Sequence, residues 1–395
     1  MRLAVVVDTF PRWSERFIAR ELGELHRLGI PFTIFPLRLG EALPGADAEF
    51  DQLAEHVRAL PKIRSLKNIA NAFSAVPRLR EAVARQRLRA VMKNLSPAGV
   101  LRCSRAHVLS EWLKKDGYTH VYAHFANLPS TIAWIAAGEA HLPLLVSVHA
   151  RDLFVEPQLL NEKVRDAQAL FTCHARGQAR LCEIPQARGK ATLMHHGLPL
   201  ELFPFKARTT ATKGARRLLA AGRFVTKKGF GDLLEALATS TLARTKVNVT
   251  IVGDGPQRET LSKSIAKLGL TGRVQLHPPE PAARLTAMLA AADLLVAPFR
   301  RSEEGDEDGI PNLILEAFAL GVPVVGTDVG GLPEALSSAT GFVAPAAQPA
   351  KLAEVIAAAL SDPAACASRA LEARALVEAR HDVRRSLKPL LDALK

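Results

Sequence analysis

The residues best suited to chemistry fall in three short segments of the second half of the chain. Gly222-Arg-Phe-Val-Thr-Lys-Lys-Gly229 puts a guanidinium, Arg223, and an ammonium, Lys228, on one loop after an apolar run. Arginine supplies a bidentate fork and lysine a point charge, so the pair suits a diphosphate and could stabilise charge developing on a leaving phosphate. Taken alone, the same loop reads more readily as a surface turn. Asn248-Val-Thr-Ile-Val-Gly-Asp-Gly-Pro256 ends a buried strand in Gly253 and Gly255, half of a dinucleotide fingerprint without its third glycine. The third segment is Asp308-Gly309-Ile310-Pro311-Asn312-Leu313-Ile-Leu-Glu316. Pro311 reads as the first helical residue, which leaves the N–H groups of Asn312 and Leu313 pointing at an anion. Glu316, with Leu313 three residues before it and Leu320 four after, lies beside an apolar stripe where an unpaired carboxylate is costly. A vicinal diol such as a ribose would satisfy it, and so would a local arginine or a backbone amide.

These loops need strands to end on. Apolar runs alternate with longer helical patterns along the whole chain, the signature of parallel sheets covered by helices. The first half offers strands at Leu3–Val7, Phe32–Phe35, His120–Ala123, Leu144–Val148 and Ala169–Thr172. The second offers Arg217–Ala221, Asn248–Val252, Val274–Leu276, Leu294–Ala297 and Pro323–Gly326. Pro204 and the polar run Lys206-Ala-Arg-Thr-Thr-Ala-Thr-Lys-Gly214 have linker composition. The expectation is α/β: one domain over 1–205, a second over 206–375 and a helical tail over 376–395 that packs back on the first. Each domain is doubly wound, and the two face a deep cleft. Open parallel sheets bind ligands beyond the carboxyl ends of their strands, where the loops above are placed.

Composition narrows the class. At 395 residues, 48% apolar and 23% charged, the chain is neither disordered nor fibrous, and two domains is the natural division. No stretch approaches the ~20 uncharged apolar residues of a spanning helix, and Leu3–Val7 is too short for a signal-peptide core. The four cysteines share no ligand spacing, so free thiols in a cytoplasmic protein are expected. The net charge of +13 is concentrated between Arg58 and Lys115, where fourteen Lys or Arg face two acids. Apolar residues recur there at helical spacing, the pattern of a basic amphipathic helix drawn to an anionic membrane surface. The segment lacks the interleaved aromatics of a base-stacking platform, so no nucleic-acid partner is expected. A solvated basic face is the plainer alternative.

In order along the chain, Gly222-Arg223, Lys228-Gly229, Gly253-Asp-Gly-Pro256, the acid eight residues before Glu316 and Gly321-Val-Pro-Val-Val325 resemble glycosyltransferase family 4. In the first half, Phe10-Pro-Arg-Trp-Ser-Glu-Arg-Phe-Ile18, Tyr122-Ala-His-Phe125 and Val148-His-Ala-Arg-Asp152 resemble bacterial exopolysaccharide and lipopolysaccharide transferases. The resemblance implies the GT-B fold of two Rossmann-like domains, and retaining transfer from a nucleotide-sugar, UDP- or GDP-linked, to a lipid-linked or polysaccharide acceptor at the inner face of the cytoplasmic membrane. It implies Arg223 and Lys228 on the donor diphosphate, Glu316 on the ribose and Asp308 on the transferred sugar. Gly253, Gly309, Ile310, Pro311, Asn312 and Leu313 complete the donor side, and His149 stands near the sugar. Ser14, Glu15, His124, Arg151 and Asp152 are placed on the acceptor side. Two features depart from the pattern: Asp308 stands where the family has glutamate, and the glycine-rich first loop of many relatives is missing.

No metal or other cofactor is expected. Asp306-Glu-Asp308 spells DxD, but within the acidic run from Glu303 such a triplet arises readily by chance, and Arg223, Lys228 and the helix dipole at Pro311 supply the positive charge a magnesium ion would bring. His149 suits a general base; alternatively, in a front-face route, the donor phosphate takes the acceptor's proton and His149 orients the sugar. Two other classes fit parts of the pattern. A nucleotide-sugar epimerase would turn over donor without acceptor, and a nucleic-acid-binding protein would prefer duplex DNA to anionic liposomes.

Overall fold

A computed structural model of the chain describes residues 1–40, 47–61, 86, 87, 90, 91, 105–155, 157–207, 214–302 and 308–395. It divides into two compact units, Met1–Ala42 with Ala48–His195 and Leu387–Lys395, and Leu43–Asp47 with His196–Ser386.

The first unit is built on six parallel strands: β1 (Leu3–Phe10), β2 (Phe32–Leu39), β3 (His120–His124), β4 (Leu144–Val148), β5 (Ala169–Thr172) and β6 (Ala191–Leu193). Their order is β2-β1-β3-β4-β5-β6, so the chain reverses direction across the sheet between β1 and β3. Side chains alternate across a strand, and both faces of β1 are buried. Leu3, Val5 and Val7 enter one core with Ile18, Leu22 and Leu25, which lie one helical face apart on Arg16–Arg27. Ala4 and Val6 enter the other, with Ile132, Ile135 and Ala136 of the helix Leu128–Ala140. Leu387, Leu390 and Leu394 complete the first of these cores.

The second unit repeats the plan with β7 (Arg216–Ala221), β8 (Val247–Val252), β9 (Val274–His277), β10 (Leu294–Ala297), β11 (Val324–Thr327) and β12 (Phe342–Ala344). Their order, β12-β11-β10-β7-β8-β9, places the switch point between β7 and β10. Leu218 and Ala220 feed one core, and Leu219 the opposite one together with Ile314, Leu315 and Phe318 of the helix Asn312–Leu320.

β4, β5 and β10 have the limits read from the sequence, and β1 and β2 run three and four residues further than expected. Two strands had not been expected, β6 and β12, each three residues at a sheet edge. The chain crosses between units at His195–His196, and His196–Lys206 is tied to the second unit, where Lys206 N donates to the Leu320 carbonyl. Residues 208–213 of the expected linker lie outside the described residues.

Most of the basic segment also lies outside the described residues, which retain Arg58, Arg87, Arg105, Lys114 and Lys115 of its fourteen cations. Four of these five serve the first unit itself. Arg58 pairs with Asp116 at 2.6 Å and lies over the Trp112 ring, and Arg87 pairs with Asp166 at 3.1 Å. Arg105 Nη1 donates to the Leu37 carbonyl, and Lys114 reaches Glu139 at 3.3 Å. The balance of fourteen cations against two acids therefore overstates the charge this segment can turn outward. Among the described residues no helix is long and apolar enough to cross a membrane, and Cys173, Cys182 and Cys366 are in no disulfide, with Cys103 outside those residues.

Candidate functional site

In the second unit the expected residues converge on loops at the carboxyl ends of β7, β8 and β10, beside the switch point. After β7 the chain turns through Gly222, buries Phe224 against Phe230 and forms the short turn Thr226–Lys228, closed by Gly229. Phe224 N donates to the Asp254 carbonyl and Gly222 N to that of Val252, so the β7 and β8 loops are joined through backbone. Gly253 makes this approach possible. Its φ is +152°, and a Cβ there would lie 2.0 Å from the Gly222 carbonyl oxygen. The half-fingerprint glycine thus serves loop packing.

Lys228 Nζ lies 2.6 Å from Asp308 Oδ2 and Lys227 Nζ 3.1 Å from Oδ1, one ammonium on each carboxylate oxygen. Burial pushes the Asp308 carboxyl up, but the ammonium charges of Lys228 and Lys227 outweigh it and hold it below the usual carboxylate range. Lys228 also stands over the face of Phe299, 4.2 Å from the ring centroid, in the loop after β10. The Asp308 carbonyl is fixed from the other side, where it accepts from Gly331 N at 2.9 Å. Lys227, Lys228 and Asp308 together carry a charge of +1. Arg223 adds a second positive charge, being exposed and without an ion pair among the described residues.

Past Asp308, Gly309 lies against Gly331 and Ile310 is buried in the core, anchoring the loop to β10 and β11. Pro311 is the cap of the helix and not its first residue. Its φ of −73° is helical, but its ψ of 131° is extended, because the proline ring fixes only φ. Asn312 and Leu313 remain the first two helical residues, so the expected exposed amides sit where the sequence put them, half-buried. Glu316 is buried to 6% exposure on the same helix, among Leu315, Ala317 and Phe318.

The first unit gathers a second set. His149 directly follows β4 and caps the short helix Ala150–Phe154, with its N–H and that of Ala126 both donating to Asp152 Oδ2 at 3.0 and 2.8 Å. The His149 ring is buried, 3.2 Å from Ser147 Oγ, and packed on Phe125 and Phe17. His124 ends β3 wholly buried, 3.3 Å from Glu21 and beside the Tyr122 ring. Burial, and next the Glu21 carboxylate, push the Tyr122 phenol well up, so it stays neutral. Phe17 touches His124, Phe125 and His149, which ties the loop after β1 to this cluster. Ser14 and Glu15 lie on that loop, Ser14 exposed and Glu15 bonded to Arg12 at 2.9 Å. Arg151 is exposed while Asp152 is wholly buried, so Asp152 shapes the loop beneath the surface.

His149 therefore belongs to the first unit, and Asp308 and Glu316 to the second. Three neighbours escaped the sequence reading: Lys227, Phe299 and Phe17. The Lys227-Lys228 doublet was the available sign for the first. The aromatic pair carried no sign, since a phenylalanine near a strand end is ordinary core.

Residues 204–376 match the family model described as glycosyl transferases group 1, a span that holds Arg223, Lys228, Gly253, Asp308 and Glu316. The amylovoran biosynthesis glycosyltransferase AmsK of Erwinia amylovora is 30% identical over 209 residues, 52% of this chain and 51% of that protein. A GDP-mannose-dependent monoacylated α-(1-6)-phosphatidylinositol monomannoside mannosyltransferase of Corynebacterium glutamicum is 33% identical over 162 residues, 40% of this chain and 41% of that protein. The chain thus spans about half the length, or less, of these curated relatives. Among solved structures, Anabaena Alr3699/HepE in complex with UDP-glucose superposes with a TM-score of 0.69 at 19% identity, covering 100% of this chain and 99% of that one. That likeness shows the fold, which is GT-B, as the motifs had implied.

Proposed function

We propose that this chain is a glycosyltransferase of bacterial cell-surface polysaccharide synthesis, moving a sugar with retention from a nucleotide-sugar to a lipid-linked or polysaccharide acceptor. The observation that carries the reading is the Lys227–Asp308–Lys228 cluster, placed just before a helix amino terminus that also bears a buried Glu316. All four residues fall within the segment matched by the family model. The curated relatives, named for amylovoran and phosphatidylinositol mannoside chemistry, support the acceptor class.

On this reading Arg223 and Lys228 hold the donor diphosphate and Glu316 the ribose diol. The Asn312 and Leu313 amides face the phosphates. As the bond from sugar to phosphate breaks, negative charge grows on the leaving oxygen and positive charge on the sugar ring. The fixed cations stabilise the first and Asp308 the second, without reorganising at the moment of reaction. The leaving phosphate takes the acceptor's proton on the same face, which gives retention, and His149 orients the sugar. These cations do the electrostatic work of a metal, so no metal is assigned a step. In this proposal the first unit binds the acceptor and the second, whose main run begins at His196, the donor.

A thermal-shift screen of UDP-, GDP- and ADP-sugars is expected to give one clear stabiliser, because a ligand bound only by the native state raises stability by mass action. At 100 times its Kd the gain is about 2.7 kcal/mol. A flat response to every nucleotide-sugar overturns the reading. For the membrane face, co-sedimentation with vesicles containing anionic lipid is expected, diminishing with salt and absent with neutral lipid. Equal binding to both vesicles, or stronger binding to duplex DNA, removes the anionic-surface assignment.

A further inference from the structure

The first unit carries a second cluster of potential ligands away from the sites above. His26 lies in the last turn of the helix Arg16–Arg27, and Glu55 and His56 lie in the short turn Ala54–His56. His26 Nδ1 is 2.9 Å from His56 Nε2, and His56 Nε2 is 3.7 Å from Glu55 Oε1. One ligand atom from each of the three residues lies within 4.8 Å of the others. Zinc bonds of about 2.0–2.2 Å in a tetrahedron put neighbouring donors about 3.3 Å apart, so small side-chain rotations bring all three to one ion. The His56 ring is already oriented, stacked on Phe32 with centroids 4.4 Å apart. Glu55 is largely exposed and His26 is exposed, which leaves a fourth position for water.

From this arrangement the geometry points to a surface site for a late divalent transition metal, zinc in the first instance, held by His26, His56 and Glu55. Two imidazoles and one carboxylate are ligands such ions accept, whereas magnesium prefers an all-oxygen octahedron. The place in the fold defines its role. Phe32 opens β2, and the helix ending at His26 runs back from the carboxyl end of β1, so the cluster sits at the amino-terminal edge of the sheet. His124 ends β3 and His149 directly follows β4 at the opposite edge. An ion here takes no part in the chemistry of those loops. It fastens the end of the Arg16–Arg27 helix, which bears Phe17 and Glu21, to the turn that follows β2.

The test is equilibrium dialysis of the full chain against zinc(II) chloride, alone and with excess magnesium, for wild type and for His26→Ala/His56→Ala. The expected result is one more bound zinc in wild type than in the double variant, unmoved by magnesium, with a rise in unfolding temperature that the variant lacks. Glu55→Gln is expected to weaken binding by at least about tenfold, since even an outer-shell partner is worth that. Should wild type and double variant bind the same amount, the contact is a hydrogen bond between histidines only and the proposal fails. Displacement by magnesium overturns it as well. His26→Ala alone, at an exposed position, gives the same comparison if the double variant does not fold. None of these readouts depends on sugar transfer.

Discussion

Replacing Asp308 by asparagine is expected to lower kcat for sugar transfer by about 10²–10³-fold, a loss of about 3–4 kcal/mol of transition-state stabilisation. The donor KM is expected not to rise. Asparagine keeps the shape of the side chain and the carbonyl that accepts from Gly331, so the loop stays in place. What it removes is the negative charge facing a sugar ring that turns positive as its bond to phosphate breaks. It also releases Lys227 and Lys228 from their carboxylate partner, leaving both ammonium groups to a bound diphosphate. Lys228→Ala tests the opposite half: donor KM should rise and kcat should fall with it, because Lys228 meets the diphosphate before and during bond breaking. Steady-state kinetics of the two variants, with circular dichroism to confirm folding, distinguishes these roles. An Asp308→Asn enzyme with wild-type kcat removes Asp308 from the reaction. A rise in its KM at constant kcat would make it a donor-binding residue instead.

Glu316→Ala is expected to weaken binding of the free nucleoside diphosphate by about 10²–10⁴-fold, because two hydrogen bonds from ribose hydroxyls to a charged acceptor are worth about 1.5–3 kcal/mol each and truncation loses both. Glu316→Gln retains one acceptor and should fall between. Glu316 as a residue is only 6% exposed, so the alanine variant also leaves buried groups unmatched, at a cost of about 1–3 kcal/mol in stability. Titration calorimetry with UDP, GDP and ADP on the folded variants separates the two effects. A nucleoside diphosphate bound by Glu316→Ala as tightly as by wild type would place the ribose elsewhere. Asp308→Asn, which frees Lys227 and Lys228 for the diphosphate, is expected not to weaken the same affinity, so the two variants fail in different experiments.

The parts of this fold legible in the sequence are those where a single force dominates. Leu144–Val148 and Leu294–Ala297 are strands buried on both faces, so their runs are apolar but for Ser147 and are bounded by Pro143, His149, Asp293 and Pro298. β6 and β12 escape because three edge residues carry too short a pattern: Thr192 and Val343 are exposed between less exposed neighbours. The site was legible at the level of motif, since Arg223, Lys228, Asp308 and Glu316 sit on loops and a helix that the strand pattern locates. Their pairing was not. That Lys228 rests on Asp308 depends on the distance between the loop after β7 and the loop after β10, which no local pattern encodes. Likewise, the sequence marks His149 as a polar residue at a strand end. Only the fold shows it walled in by Phe17, from the first turn of the Arg16–Arg27 helix, and Phe125, from the loop after β3.

The return of Leu387–Lys395 to the first unit has a bearing on how the molecule is made. A ribosome delivers that unit's main body, Met1–Ala42 and Ala48–His195, first, yet the core around Leu3, Val5 and Val7 lacks Leu387, Leu390 and Leu394 until almost two hundred more residues have emerged. Apart from Leu43–Asp47, already synthesised, the second unit is one run from His196 to Ser386 and can close before the one begun ahead of it is finished. An amino-terminal half expressed by itself carries an open apolar groove, and supplying the last nine residues, by fusion or as a separate peptide, is the natural remedy.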